Sequence, residues 1–250
     1  MSNSVILIIA GLDPTGGAGI SADIRAVSAM GAVVAPVISA IANQGHREGV
    51  AVHPVDEADF AEALDSALTA DPQAVKIGMA GNARTIEVIA DRLAPLSERI
   101  PIVLDPVLRS SSGMELADLD ATEALIERLF PIAALVTPNL DEAGRFASMR
   151  IASLEDILSA GARIAGATAA VLIKGGHSAG IPIDYLFQRE EVREFQSERV
   201  PGEFRGTGCA LASLIACGLA RGEALPRAVS SAKARLTAAL GQSIPPYIRY

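Results

Sequence analysis

Short apolar runs recur along the chain at strand length, at residues 5–10, 33–42, 74–78, 101–105, 134–137 and 170–174. Each is bounded by glycine, proline or polar residues, and helical stretches separate them. Residues 21–30, 56–69 and 120–129 have helical patterning, and Asn82 is placed to cap a helix running to about Leu93. A further helical stretch covers 139–165, where Ser153-Leu154-Glu155-Asp156 reads as a capping box that starts a fresh helix. Residues 185–188 and 192–196 look like a hairpin at a sheet edge, and helices over 208–220 and about 226–240 close the pattern. Strands that are apolar throughout must be covered on both faces. The alternation therefore predicts an α/β protein with a mostly parallel sheet, whose ligands sit beyond the carboxyl ends of the strands.

Composition narrows this further. Half of the 250 residues are hydrophobic, only 4% are aromatic and tryptophan is absent, so the core is expected to be Ala, Val, Ile and Leu. No linker or charge block divides the chain, which predicts a single domain over 1–250. The net charge of −8 argues against a nucleic-acid partner, so a phosphate ligand would be held by backbone amides, a few cations and a metal. The first apolar run is too short to span a membrane and no basic segment precedes it, which predicts a cytoplasmic protein with no membrane partner. Cys209 and Cys217 lie on one predicted helix about 12 Å apart along its axis, which excludes a disulfide between them. The three histidines have no zinc-ligand spacing.

The candidate chemistry sits at the ends of the runs. In Arg205-Gly206-Thr207-Gly208-Cys209 two glycines flank a hydroxyl just before an all-apolar helix, so the first-turn N–H groups can converge on an anion. Taken alone, such a glycine pair is more often the mark of a tight turn. Gly11-Leu12-Asp13-Pro14-Thr15-Gly16-Gly17-Ala18-Gly19 lets backbone approach a ligand closely, with Asp23 just inside the following helix. It matches neither the Rossmann nor the P-loop spacing, and a flexible turn is its bland reading. Asp105-Pro106-Val107, Thr137-Pro138-Asn139-Leu140-Asp141-Glu142 and Lys174-Gly175-Gly176-His177 end three further strands. Asn139 and Glu142 either hold Mg²⁺ together or form a capping box, and the spacing suits both. Lys174 fits a phosphate cation, and Cys217 fits packing.

These motifs, with Ala22-Asp23, Asn43-Gln44 and Lys76-Ile77-Gly78-Met79, resemble the hydroxymethylpyrimidine and phosphomethylpyrimidine kinases of the ribokinase superfamily over nearly the whole chain. Cys209 is the most discriminating letter, because most of the superfamily carries aspartate there. The resemblance implies a three-layer α/β/α ribokinase-like fold with a small β flap, forming a homodimer that uses ATP and Mg²⁺ to phosphorylate hydroxymethylpyrimidine and its monophosphate. By position, Gly11, Asp23, Gln44, Met79, Val107 and Cys209 would surround the pyrimidine. Asp105, Thr137, Asn139 and Lys174 would serve the nucleotide, and Asp105, Asn139 and Glu142 the metal. Gly206, Thr207 and Gly208 would form the anion hole, with Cys209 accepting the substrate proton. The helix N-terminus favours a Cys209 thiolate, and a neighbouring polyphosphate opposes it. The alternatives are a pyridoxal or pyridoxine kinase of the same fold and a non-catalytic pyrimidine sensor. Two features depart from the family pattern: Arg205 where histidine is common, and the ending Gln242-Ser243-Ile244-Pro245-Pro246-Tyr247.

Overall fold

β1 (Val5–Leu12) is buried from Ile6 to Gly11, and its side chains alternate between two cores. Leu7 and Ile9 face one side of the sheet, while Ile6, Ile8 and Ala10 face the other. The computed structural model describes residues 4–44, 49–109, 113, 115–176 and 181–250. After β1 the chain forms α1 (Gly19–Ala29), β2 (Val33–Gln44), β3 (Gly49–Pro54), α2 (Glu57–Leu68), β4 (Ala74–Ile77), α3 (Ala83–Leu93) and β5 (Ile102–Leu104). It continues through α4 (Leu119–Ala124), which runs on as a π-helical turn over Leu125–Leu129, then β6 (Leu135–Val136), α5 (Leu140–Phe146), α6 (Leu154–Ala165) and β7 (Ala170–Ile173). The hairpin β8 (Ile183–Gln188) and β9 (Glu191–Gln196) precedes α7 (Thr207–Ala220) and α8 (Leu225–Gly241).

The strands form one sheet in the order β3-β2-β1-β4-β5-β6-β7-β8-β9. The run from β2 to β7 is parallel, and β3, β8 and β9 add antiparallel edges. One core lies under α2 to α6 and contains Phe60, Leu64, Ile86, Ile89, Ala143 and Ile164. The other lies under α1, α7 and α8 and contains Ile20, Val27, Leu214, Ile215 and Val229. Each such aliphatic side chain contributes about 1.5–3 kcal/mol on burial. This is the three-layer arrangement with a mostly parallel sheet that the sequence implies. The far end of β2, Ala40 to Gln44, pairs with β3 as a small antiparallel flap.

Two features of topology position the site. β1 has β2 on one side and β4 on the other, both parallel to it, so the winding direction reverses there and a crevice opens at the carboxyl ends of β1 and β4. α7 is buried on all sides from Ala210 to Gly218, wedged between the sheet, α1 and α8. Its N-terminus is thereby held at that same rim.

The structure sharpens the sequence reading at 139–165 and adds one strand. The helical stretch 139–165 is two helices, separated by a turn in which Ser148 adopts φ 51° and the Met149 N–H donates to Gly144 O at 2.9 Å. The capping box at Ser153, completed by Asp156, starts the second helix as the sequence indicates. β3 is the hairpin partner of the end of β2, with Gln44 opposite Gly49, and its short Gly49-Val50-Ala51-Val52-His53-Pro54 run carries too few large apolar residues to stand out in the sequence.

Packing between α6 and β8 yields a direct test. A Cβ added to Gly161 would lie 2.2 Å from the Phe187 ring, so Gly161→Ala forces the ring to move. The expected cost is about 1–3 kcal/mol, visible as a lower midpoint in urea unfolding with an unchanged m-value.

Candidate active site

The loop after β1 is built around Asp13. Its Oδ1 accepts from Thr15 N at 2.9 Å and Thr15 Oγ1 at 2.7 Å, and its Oδ2 accepts from Ala18 N at 3.0 Å. Gly19 closes the loop with φ 57°, and a Cβ there would lie 2.2 Å from Gly11 O. The stretch is thus a hydrogen-bonded turn specified by glycine. Asp13 was not singled out from the sequence; its spacing to Thr15 and Ala18 is an ordinary side-chain-to-backbone turn pattern that could have flagged it.

At the start of α7, Gly206 is left-handed with φ 70°, and among the described residues no side chain caps the helix. The first-turn N–H groups therefore remain available to an anion, as the Gly206-Thr207-Gly208-Cys209 motif predicts. A Cβ on Gly208 would lie 3.0 Å from Lys174 Nζ and 3.8 Å from Asp105 Oδ2, so this terminus, Lys174 and Asp105 meet at one point. Lys174 Nζ lies 2.6 Å from Asp105 Oδ1. Burial pushes the Asp105 carboxyl up, but the Lys174 and Lys76 ammoniums and hydrogen bonds from Lys174 and Thr137 hold it below the usual carboxylate range. For Lys174, burial works against the charge, and the Asp105 and Glu142 carboxylates more than restore it.

Asn139 and Glu142 form the capping box of α5. Asn139 Oδ1 accepts from Glu142 N at 2.9 Å, and Glu142 Oε2 accepts from Asn139 N at 2.8 Å. Burial pushes the Glu142 carboxyl up to about 7; Asp105 adds to the rise, and Lys174 with the N–H groups of Asn139 and Leu108 opposes it. Both residues line the same cavity as Lys174 and Asp105. Among the described residues no group of three or more His, Cys, Asp or Glu side chains is arranged to hold a metal ion. The anionic Asp105, with Oδ2 toward the anion hole, together with Glu142 suits Mg²⁺, which keeps several waters and takes only one or two carboxylates beside substrate phosphates.

The cavity measures about 1520 Å³, room for two substrates side by side. At one end Gly11, Ala42, Met79, Val107 and Cys209 line it. Met79 reaches in because Gly11 makes way: a Cβ there would lie 2.7 Å from Met79 Sδ. Gly11, Met79, Val107 and Cys209 thus all line the one cavity, with Gly11 and Met79 in contact. Two assigned residues are not in the lining. Asp23 is fully buried behind it, with Oδ2 2.8 Å from Lys76 Nζ and Oδ1 accepting from Ser213 Oγ at 2.8 Å. Thr137 is also buried and donates to Asp105 Oδ1 at 3.1 Å, so it braces Asp105 and does not face a nucleotide. The Gln44 side chain and His177 lie outside the described residues.

The charge state of Cys209, which the sequence leaves open, follows from its surroundings. Burial pushes the Cys209 thiol up to about 12, Asp23 and Asp105 push the same way, and the pull of Lys76 and Lys174 does not overcome them. In the protein without substrates Cys209 is a thiol at neutral pH. Cys217 is buried in the core, as assigned. The residues that sequence reasoning missed, Lys76, Ser213 and the Asp184–Lys233 ion pair at 2.5 Å, are buried charges or a buried hydroxyl paired across distant elements. No local spacing announces such pairs.

A profile of the family described as phosphomethylpyrimidine kinase matches residues 13–247. The chain belongs to that family. A hydroxymethylpyrimidine/phosphomethylpyrimidine kinase of Rhizobium meliloti is 41% identical over 242 residues, covering 95% of this chain and 90% of the relative. A bifunctional thiamine-biosynthesis protein of Geobacter sulfurreducens is 39% identical over 96% of the chain, which spans 50% of that longer protein. Among solved structures, phosphomethylpyrimidine kinase from Clostridium difficile superposes with TM-score 0.83 at 34% identity, covering 95% of this chain and 100% of that one. Pyridoxal kinase from Staphylococcus aureus, in complex with AMP-PCP and pyridoxal, gives TM-score 0.87 at 28% identity, covering 96% and 89%. The fold is thus the ribokinase-like fold of these kinases, and the chain is an enzyme of the kinase class.

The raised Glu142 carboxyl couples stability to pH in this kinase. Its folded value, about 7, lies above the ordinary 4.5, so the folded state binds the proton more tightly. That contribution to stability is complete below about pH 4.5 and is lost as pH rises toward 7. Urea midpoints at pH 5 and pH 7.5 should show the wild type losing more stability over this interval than Glu142→Gln.

Proposed function

We propose that the chain uses ATP to phosphorylate hydroxymethylpyrimidine and then its monophosphate, giving the pyrophosphate used in thiamine synthesis. The observation that carries this reading is the convergence of the uncapped α7 N-terminus, Lys174 and Asp105 beside a pocket walled by Gly11, Met79, Val107 and Cys209. The Rhizobium relative bears the same substrates in its name. The Gly11 loop and Met79 orient the pyrimidine so that its hydroxymethyl oxygen faces the terminal phosphate of the nucleotide. The N–H groups at Thr207, Gly208 and Cys209 and the Lys174 ammonium stabilise charge on the transferring group. Asp105 and Glu142 would hold Mg²⁺, which when bound neutralises phosphate charge. Glu142→Gln is accordingly expected to shift the Mg²⁺ dependence upward, and an unchanged titration removes Glu142 from the metal.

Cys209 accepts the proton of the hydroxymethyl group as a thiolate, a form its surroundings make scarce at neutral pH. Turnover of the alcohol should therefore rise with pH through the alkaline range. The monophosphate, with a second pKa of about 6, arrives already anionic and needs no such acceptor, so its rate should level off above about pH 7. Cys209→Ala should slow the alcohol at least about tenfold more than the monophosphate. Equal losses, or matching pH profiles, dismiss Cys209 as the base.

A coupled assay of ADP release across hydroxymethylpyrimidine, its monophosphate, pyridoxal and pyridoxine tests the whole reading. Turnover of the pyrimidines above the pyridoxal compounds is expected. The reverse preference favours a pyridoxal kinase, a reading that the Staphylococcus structure bound to pyridoxal supports by its fold. ADP release independent of any alcohol would match neither.

The protein is proposed to act as a homodimer in the cytoplasm. Ile38 and Ile41 on β2 are exposed at and beside the flap, an apolar strand surface that a second copy would cover. Among the described residues no helix is long and apolar enough to cross a membrane.

A further inference from the structure

Arg205, the residue that departs from the family pattern, does not point at the phosphate end of the cavity. Its side chain turns back across the seam between α7 and the loop after β1. Nη1 donates to Thr15 Oγ1 at 3.0 Å, and Nη2 lies 3.2 Å from Asp13 Oδ2. The stem lies on Gly17, where an added Cβ would meet Arg205 Cβ and Cδ at 3.3 Å. Arg205 N donates to Pro246 O at 3.0 Å, which joins the second departure, the unusual ending, to the same seam. The pair is well shielded, with side-chain exposure of 11% for Arg205 and 2% for Asp13.

Beneath the guanidinium the two backbones touch. A Cβ on Gly206 would lie 2.6 Å from Gly17 O and 3.0 Å from Ala18 Cα. Asp13 is the centre of its loop, since Thr15 and Ala18 both donate to it. Arg205 ties that centre to the residue next to the anion hole. Asp13, Ala18 and Gly19 of the loop, Arg205 itself and the 206–209 turn all line the one cavity. Nη2 is buried and among the described residues makes no hydrogen bond, so Asp13 draws it in by charge while Nη1 makes the hydrogen bond to Thr15. A planar guanidinium reaches two acceptors at a fixed spacing, which an ammonium does not.

We propose that Asp13 and Arg205 form a positioning pair that sets the register between the pyrimidine pocket and the anion hole. The pair itself does not contact the transferring phosphate. It holds the 13–18 loop against Gly206, so that the acceptor oxygen and the phosphate-binding N–H groups keep one distance. This deepens the kinase reading above and rests on it for the identity of the acceptor.

The experiment has two arms. In steady-state kinetics, Arg205→Gln and Asp13→Asn should each raise the KM for hydroxymethylpyrimidine about tenfold and lower kcat, with the KM for ATP changed less than about twofold. The double variant should be no worse than either single, because the two side chains act as a unit. Arg205→Lys, which keeps the charge without the fork, should fall between wild type and Arg205→Gln. In the second arm, amide hydrogen exchange of the substrate-free protein should quicken about tenfold over residues 13–18 in Arg205→Gln, with β5 and β7 unchanged. Unchanged pyrimidine KM values, additive losses in the double variant, or unchanged loop exchange would each overturn the pair. A wild type that phosphorylates neither pyrimidine overturns the functional reading instead, and the exchange arm, which needs no substrate, still decides whether the clamp exists.

Discussion

The α7 helix has no polar face, and an α-helix of that kind is stable only where apolar surface surrounds it. Packed between the sheet, α1 and α8, it is fixed along its length, and its unpaired first-turn N–H groups cannot drift from the rim. The rest of the site is arranged against that fixed point. Lys174 and Asp105 come to it from the ends of β7 and β5, and the loop after β1 lies on Gly206 in backbone contact. Glycine is required at 206, where φ is positive and backbone presses on the residue, and at 208 any side chain would crowd the Lys174 ammonium.

Around the cavity the charges are paired. Lys76 with Asp23, Lys174 with Asp105 and Lys233 with Asp184 each bring a buried cation to a buried carboxylate, joining elements far apart in the chain. Removing an unpaired charge from water costs several kcal/mol, so such groups persist only with partners, and breaking one pair leaves the other member uncompensated. The arrangement is consistent with a chain of net charge −8 that must still receive a polyanion: cations are concentrated where α7 presents its N–H groups, and their carboxylate partners hold them in place. The same carboxylates, with burial, keep Cys209 protonated, so the site that suits phosphate is a poor one for a resting thiolate.

Two segments far apart in the chain, around Arg205 and around Pro246, lie in one place. Arg205 and Pro246 meet at the seam between α7 and the β1 loop, joined by a backbone hydrogen bond. Neither residue reveals this locally. An arginine before a glycine turn reads as a solvated charge or a phosphate contact, and only the folded chain shows that its partners are Asp13 and Thr15, 190 residues away in sequence for the latter.

The sequence by itself determined the layer architecture, because uninterrupted apolar runs such as 5–10 and 170–174 are stable only with both faces covered. It also determined which polar and glycine residues would reach one rim, since Gly11, Asp105, Asn139, Lys174 and Gly206 all fall at run ends or helix starts and line one cavity. Helix starts at Asn82, Asn139 and Ser153 were legible because capping is a contact within a few residues. Tertiary structure alone decided which polar residues face the cavity. Asp23 and Thr137 share the motifs of lining residues yet turn inward to Lys76 and Asp105. It also decided the protonation of Cys209, since burial and surrounding charge belong to the assembled rim and not to any stretch of chain. The physical reason is range: periodicity, caps and turns are interactions between near neighbours, whereas burial, ion pairing and pKa depend on residues that only folding brings together.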